Sequence, residues 1–198
     1  MLREHVYPHI EKTLNQTAGI LAQKKITPYQ LTLGGLGLSL ISGIIYATGH
    51  FFWGGIFLLF GCLGDMLDGP LARTTGKASK FGAFLDSTTD RYGDVFLFGG
   101  IAMHYANTGQ TGWVVVCLAV IAGAYATSYS KARSENFIDS CNTGIFERPE
   151  RMIALGVMSV FPSLSPLALW TLAIGTNYTA IQRILYTKNK LSSPSSEK

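Results

Sequence analysis

The placement of lysine and arginine constrains this chain more than any other feature. All 16 basic residues fall in an N-terminal arm, in residues 73–91, in residues 131–151 or toward the C-terminal end. Apolar stretches run over about 27–49, 51–72, 82–106, 111–130, 150–163 and 165–187, and the connections at 49–50, 107–112 and 162–166 hold no Lys or Arg. About 20 apolar residues in a helix cover the hydrocarbon core of a bilayer. Basic residues collect on the cytoplasmic side of such helices, so the pattern predicts six spans with both termini cytoplasmic. The fifth stretch is short, and it either begins earlier, near Glu147, or crosses where the bilayer is thin. The expected fold is an all-α integral membrane protein with six transmembrane helices, preceded by an amphipathic interfacial helix. It divides into an arm (1–25), a six-helix membrane domain (26–188) and a polar tail (189–198).

Within this frame, residues 64–90 read GDMLDGPLARTTGKASKFGAFLDSTTD. Asp65 and Asp68 are three apart and Asp86 and Asp90 four apart, so each pair shares a helix face. The apolar runs before the first pair and after the second put both pairs at the same-side end of two membrane helices, the cytoplasmic one. Gly69, Pro70, Gly76 and Gly82 between them suit a turn that brings the second helix back beside the first. Four carboxylates in such surroundings repel one another and are costly to desolvate. Arg73, Lys77 and Lys80 in the connection can pair with some of them. Mg²⁺ or Mn²⁺ accounts for them better, because hard cations prefer carboxylate oxygens and leave room for phosphate. Two ions bridged by acids form a clamp for displacement at phosphorus. Asp94 continues the series one turn on, but its face has drifted by about 40°, which puts it behind the ligand set.

The spacing Asp65-x2-Asp68-Gly69-x2-Ala72-Arg73-x8-Gly82-x3-Asp86-x3-Asp90 resembles the signature of the CDP-alcohol phosphotransferase family, with every fixed position filled. The resemblance implies a CDP-lipid donor, typically CDP-diacylglycerol, and one or two Mg²⁺ or Mn²⁺ ions on Asp65, Asp68, Asp86 and Asp90. It implies that the nucleotide approaches Gly69, Ala72 and Gly82, whose side chains are small, while Arg73 neutralises the diphosphate. Asp90 is the candidate general base, and with no Ser or Cys of the motif paired to a His, transfer is expected to be direct. A homodimer in a prokaryotic inner (plasma) membrane is also implied. One position departs from the family: Tyr29 follows Pro28, where many members have Asn or Asp.

A second informative stretch joins the fourth and fifth spans. Lys131 and Arg133 end one, and Glu147, Arg148, Glu150 and Arg151 open the next. Such residues serve as topology signals with helix-end salt bridges. They equally suit an anion pocket, since guanidinium forks match phosphate. The pattern Tyr129-x-Lys131-Ala132-Arg133-x-Glu135 with Glu147-Arg148-Pro149-Glu150-Arg151 resembles the phosphatidylinositol-phosphate synthase branch of the same family. That resemblance implies that Lys131, Arg133, Arg148 and Arg151 hold the phosphate of the acceptor, inositol 1-phosphate. Glycerol 3-phosphate is the rival acceptor. A divalent-cation transporter is the rival from another class, although no line of acids continues toward the outer side.

The remaining features are plainer. A net charge of +4 is explained by topology and anionic lipid headgroups, and no nucleic-acid-binding motif is present. Leu2, Val6, Ile10, Leu14 and Leu21 recur at helical intervals in the arm, as a helix lying on the membrane surface requires. Thr27 and Pro28 predict a helix start. Gly34, Gly35, Gly37 and Gly43 predict close helix packing. The three cysteines do not suggest a disulfide framework.

Overall fold

The computed structural model describes residues 7–192, with side chains from residue 12 onward. Seven helices follow in order: α1 (Tyr7–Gln23), α2 (Pro28–Ala47), α3 (Phe51–Thr74), α4 (Lys80–Asn107), α5 (Thr111–Ser134), α6 (Arg148–Val160) and α7 (Ser165–Leu191). A 3₁₀ turn, Pro162–Leu164, separates the last two. Each predicted stretch corresponds to one of α2–α7, and among the described residues there is no strand.

Local chemistry sets several boundaries. α2 starts at a capping box in which Thr27 Oγ1 accepts from the Gln30 amide at 3.3 Å and Gln30 Oε1 accepts from the Thr27 amide at 2.8 Å. Pro28 then takes the first helical position, where its missing N–H costs nothing. Ser79 caps α4 by accepting from the Gly82 amide at 3.0 Å. Glu147 caps α6 with Glu150 as its box partner, which agrees with an early start for the short fifth stretch.

One boundary differs from expectation. Of the four residues expected to shape the turn, Gly69 and Pro70 lie inside α3, which runs to Thr74, and the reversal is confined to residues 75–79, which include Gly76. Proline removes one backbone hydrogen bond from a helix. Pro70 and Leu71 are both buried, and the packing they make holds the helix across that gap.

The helices pack as a bundle in which α2 lies against α3 and α4, α4 against α5, α5 against α7, and α6 against α3; α1 lies against α3. Leu58, Leu97, Phe98, Val120, Leu155 and Leu172 form the middle of one continuous apolar core. At the α2–α4 crossing the backbones touch. A Cβ on Gly100 would lie 2.0 Å from the Gly43 carbonyl oxygen, and one on Gly43 would lie 2.2 Å from the Phe96 carbonyl oxygen. Of the four glycines expected to pack closely, Gly35 and Gly43 do so, whereas Gly34 and Gly37 face open space.

Among the described residues three helices, α2, α3 and α5, are long and apolar enough to cross a membrane. Phe52, Trp53, Leu118, Leu167, Trp170 and Ile174 are exposed on the outside of the bundle, a surface suited to lipid rather than water. In α1, Leu14 and Ala18 are buried, so the expected apolar stripe meets protein. Leu2, Val6 and the tail beyond residue 192 lie outside the described residues, as does the side chain of Ile10. All three cysteines are free.

Candidate active site

Two neighbouring helix ends bring the aspartates together. Asp65 and Asp68 lie in the last turns of α3, and Asp86 and Asp90 in the first turns of α4. α2 forms the wall behind the first pair. Thr32 Oγ1 donates to Asp68 Oδ2 at 2.7 Å while also reaching the Pro28 carbonyl at 3.1 Å. Three residues further on, Gly35 leaves room for Asp65, since a Cβ there would lie 2.4 Å from Asp65 Oδ1. A hydroxyl and a missing side chain on one helix thus fix the attitudes of both carboxylates. Sequence reading missed Thr32, because only the tertiary packing brings it to a residue 36 positions away.

The cation between the helices comes from elsewhere in the chain. Arg148, the first residue of α6, donates through Nη1 to Asp65 Oδ2 at 2.8 Å and lies 2.6 Å from Asp90 Oδ1. Among the described residues, Arg148 makes the ion pairs of Asp65 and Asp90, Asp68 and Asp86 have none, and Arg73, Lys77 and Lys80 pair with none of the four. Arg73 is exposed at the end of α3. Behind Arg148, Arg151 Nη2 bonds Asp94 Oδ2 at 2.7 Å, with the Arg151 side chain 2% exposed. Arg151, expected with Lys131, Arg133 and Arg148 to hold the acceptor phosphate, is thus paired to a buried carboxylate, as Arg148 is paired to Asp65 and Asp90.

α6 is aimed by a further arginine that sequence reading did not single out. Arg183 on α7 donates to the Thr127 carbonyl at 2.7 Å, the Thr143 carbonyl at 2.8 Å and Glu147 Oε1 at 2.6 Å. It thereby ties α5, the 135–147 loop and the cap of α6 to one point. The loop is also docked by the Phe146 amide, which donates to Thr179 Oγ1 at 3.0 Å. Lys131 and Arg133 lie in the last turn of α5, at the start of this loop. Arg133 is exposed, with its guanidinium 4.8 Å from the centre of the Phe137 ring.

The remaining motif positions lie on α3 and α4. A Cβ on Gly69 would meet only Arg73 Nη1, at 3.7 Å, and Ala72 is half-buried. Gly82 faces Ser79 and Tyr29. The Tyr29 hydroxyl lies 3.2 Å from Ser79 Oγ and its ring 6.1 Å from that of Phe81. The unusual residue after Pro28 therefore packs onto the start of α4.

The donor set, carboxylate oxygens on two adjoining helices with a hydroxyl behind, suits a hard divalent cation. Among the described residues no three acidic, imidazole or thiol side chains close on a single point. The guanidinium of Arg148 lies between two of the carboxylates that would have to converge.

Comparison with known proteins identifies the family. Residues 25–181 match the profile of the CDP-alcohol phosphatidyltransferase family. The chain belongs to that family. It is 38% identical over 189 residues to the archaetidylinositol phosphate synthase of Pyrococcus horikoshii, covering 94% of this chain and 96% of that one. It is 33% identical over 205 residues to the phosphatidylinositol phosphate synthase of Streptomyces avermitilis, covering 96% and 84%. The crystal structure of the Mycobacterium tuberculosis phosphatidylinositol phosphate synthase with CDP-DAG bound superposes with a TM-score of 0.82 at 29% identity, over 94% of this chain and 98% of that one. The same Mycobacterium enzyme in complex with manganese and citrate gives 0.79 at 28% identity, over 93% and 92%. All the motif aspartates lie within the matched segment.

Proposed function

We propose that this chain transfers the phosphatidyl group of a CDP-lipid, typically CDP-diacylglycerol, to a hydroxyl of inositol 1-phosphate, giving phosphatidylinositol phosphate and CMP. The observation that carries this reading is that Arg148, from the second basic stretch, reaches one aspartate of each pair, bonding Asp65 and lying beside Asp90. Relatives named for inositol-phosphate chemistry match nearly the whole chain, which favours inositol 1-phosphate over glycerol 3-phosphate. Membership of a transferase family argues against a cation transporter.

In this reading Asp65, Asp68, Asp86 and Asp90 hold one or two Mg²⁺ or Mn²⁺ ions. Bound there, such ions supply positive charge to the phosphoryl oxygens and to the departing CMP. Thr32 keeps Asp68 turned toward the site. Gly69, Ala72 and Gly82 let the nucleotide approach the backbone, and Arg73 faces the diphosphate. Asp90 accepts the proton of the acceptor hydroxyl. That oxygen bonds to the lipid-side phosphorus, and the bond from this phosphorus to the oxygen shared with CMP breaks, so no covalent enzyme intermediate is needed. Lys131, Arg133, Arg148 and Arg151 hold the acceptor phosphate, and Arg151 also neutralises Asp94 beside the site.

The finer topology belongs to the same proposal. α2–α7 make six spans behind an interfacial α1, residues 26–188 form the catalytic domain, and the termini and site face the cytoplasm across a prokaryotic inner membrane. The enzyme works as a homodimer. A lipid donor then enters sideways from the bilayer while the soluble acceptor arrives from the cytoplasm.

The test is CMP release by the full-length protein in lipid nanodiscs with CDP-diacylglycerol and Mn²⁺ or Mg²⁺. Inositol 1-phosphate, inositol, glycerol 3-phosphate and serine are supplied singly. Release with inositol 1-phosphate alone is expected. Release only with another acceptor overturns the acceptor assignment, and none with any acceptor or with an ether-lipid donor overturns the transferase reading.

A further inference from the structure

The position of Arg148 is at odds with a single role. Its Nη1 bridges Asp65 and Asp90, one proposed ion ligand and the proposed base, at 2.8 and 2.6 Å. A guanidinium in that place and a divalent cation coordinated by the same two carboxylates exclude each other.

The surroundings offer a second place for the same side chain. Arg148 Nε is buried with no hydrogen-bond partner, and so is Asp94 Oδ1. The two atoms face each other at 4.0 Å, about 1 Å beyond a hydrogen bond. Buried polar atoms are seldom left unpaired in a finished arrangement. Here a donor and an acceptor are left unpaired side by side, and a small displacement of Arg148 away from Asp65 joins them. Nothing bulky stands against that movement at Gly93, where an added Cβ would lie 3.5 Å from Arg148 Nη2. Asp94 keeps its other oxygen on Arg151 throughout, so it is a fixed landing point.

We propose that Arg148 is a built-in counter-cation with two stations, and that it couples binding of the divalent ion to binding of the acceptor phosphate. In the first station it neutralises Asp65 and Asp90 and keeps the acids from repelling one another. In the second it leans on Asp94, leaves Asp65 and Asp90 open to the ion and presents its outer nitrogens to a phosphate monoester. Each ligand favours the second station, so each raises the affinity of the other. The proposal rests on the assignment of the aspartates to the ion and Arg148 to the acceptor given above. It adds that the enzyme without ligands blocks its own ion site.

The coupling is read by titrating the full-length protein in nanodiscs with Mn²⁺, following the free-ion electron paramagnetic resonance signal without donor lipid. The titration is run without additions, with inositol 1-phosphate and with glycerol 3-phosphate. For the wild type, the matching phosphate monoester should tighten Mn²⁺ binding by about tenfold, within the usual range of coupling between sites. Arg148→Gln should bind Mn²⁺ about tenfold more tightly than the wild type without any monoester, and lose the response to it. Arg148→Lys, which keeps the charge, should fall between the two. The wild-type titration needs no variant and stands alone if Arg148→Gln fails to fold. Three results overturn the proposal: wild-type affinity indifferent to both monoesters, Arg148→Gln affinity equal to or weaker than the wild type, or coupling that persists in Arg148→Gln. CMP release measured on the same preparation separates the two claims. Release with inositol 1-phosphate but no coupling sinks the counter-cation and leaves the transferase, whereas coupling with glycerol 3-phosphate alone keeps the counter-cation and sinks the acceptor assignment.

Discussion

The two ends of this helix bundle are held together by different means. At the end that carries residues 49–50, 107–112 and 162–166, contacts are neutral and complete. Tyr46 Oη lies 2.6 Å from Ser159 Oγ, and Ser42 donates to the Gly54 carbonyl at 2.7 Å. Gly49 adopts a φ of +83°, which closes α2 tightly before α3 begins. At the aspartate end the same helices are joined by charges: Asp65 and Asp90 to Arg148, Asp94 to Arg151, Glu147 to Arg183. That end also leaves buried polar atoms unpaired, Asp94 Oδ1, Arg148 Nε and Arg151 Nε. A bundle built only for stability would resemble the neutral end throughout, since buried ion pairs rarely outdo good apolar packing. The contrast indicates that the charged end is kept for ligands.

Substitutions sharpen the contrast. The largest effect is expected from Asp90→Asn, which should lower kcat for CMP release by about 10²–10⁴-fold, the usual contribution of a general base, while the protein stays folded. A variant retaining near-normal kcat would break the assignment of the base. Arg151→Met should come next, on stability rather than chemistry. Leaving Asp94 buried and half-compensated should cost about 3–5 kcal/mol, read as a lower midpoint of thermal unfolding in detergent. No change there would show that the charged end contributes nothing to the fold.

Smaller effects follow. Thr32→Val removes the hydroxyl that orients Asp68, and loss of such an outer partner weakens metal affinity or activity by about 10–100-fold. Thr32→Ser should restore most of it, a rescue that a purely steric role would not give. Tyr46→Phe at the neutral end deletes one hydrogen bond. It should cost about 1 kcal/mol of stability with unchanged kcat and KM for the acceptor. A loss of activity there would mean that the two ends are not separable.

Much of this was legible before any coordinates. Apolar length and basic loops located every helix from α2 to α7, and the three- and four-residue spacings of the aspartates put each pair on one face. What the sequence could not supply were the partners across the bundle. Arg148 lies 83 residues from Asp65, and nothing local distinguishes it from Arg151, three positions away, which the fold buries against Asp94 instead. Gly69, Pro70, Gly76 and Gly82 read together as a turn, yet the first two disfavour a helix interior and still lie inside α3, where the packing of Pro70 and Leu71 overrides that preference. Likewise the spacing of the α2 glycines says that they are small, and only the positions of α3 and α4 decide that Gly35 and Gly43 are the ones touched.

The most direct test of the central claim is to measure CMP and product lipid together. Purified protein is given CDP-diacylglycerol, inositol 1-phosphate and Mn²⁺, and the lipid is identified by mass spectrometry. The account predicts phosphatidylinositol phosphate formed one for one with CMP and lost in Asp90→Asn. CMP released without that lipid, or a lipid yield indifferent to Asp90, would contradict it.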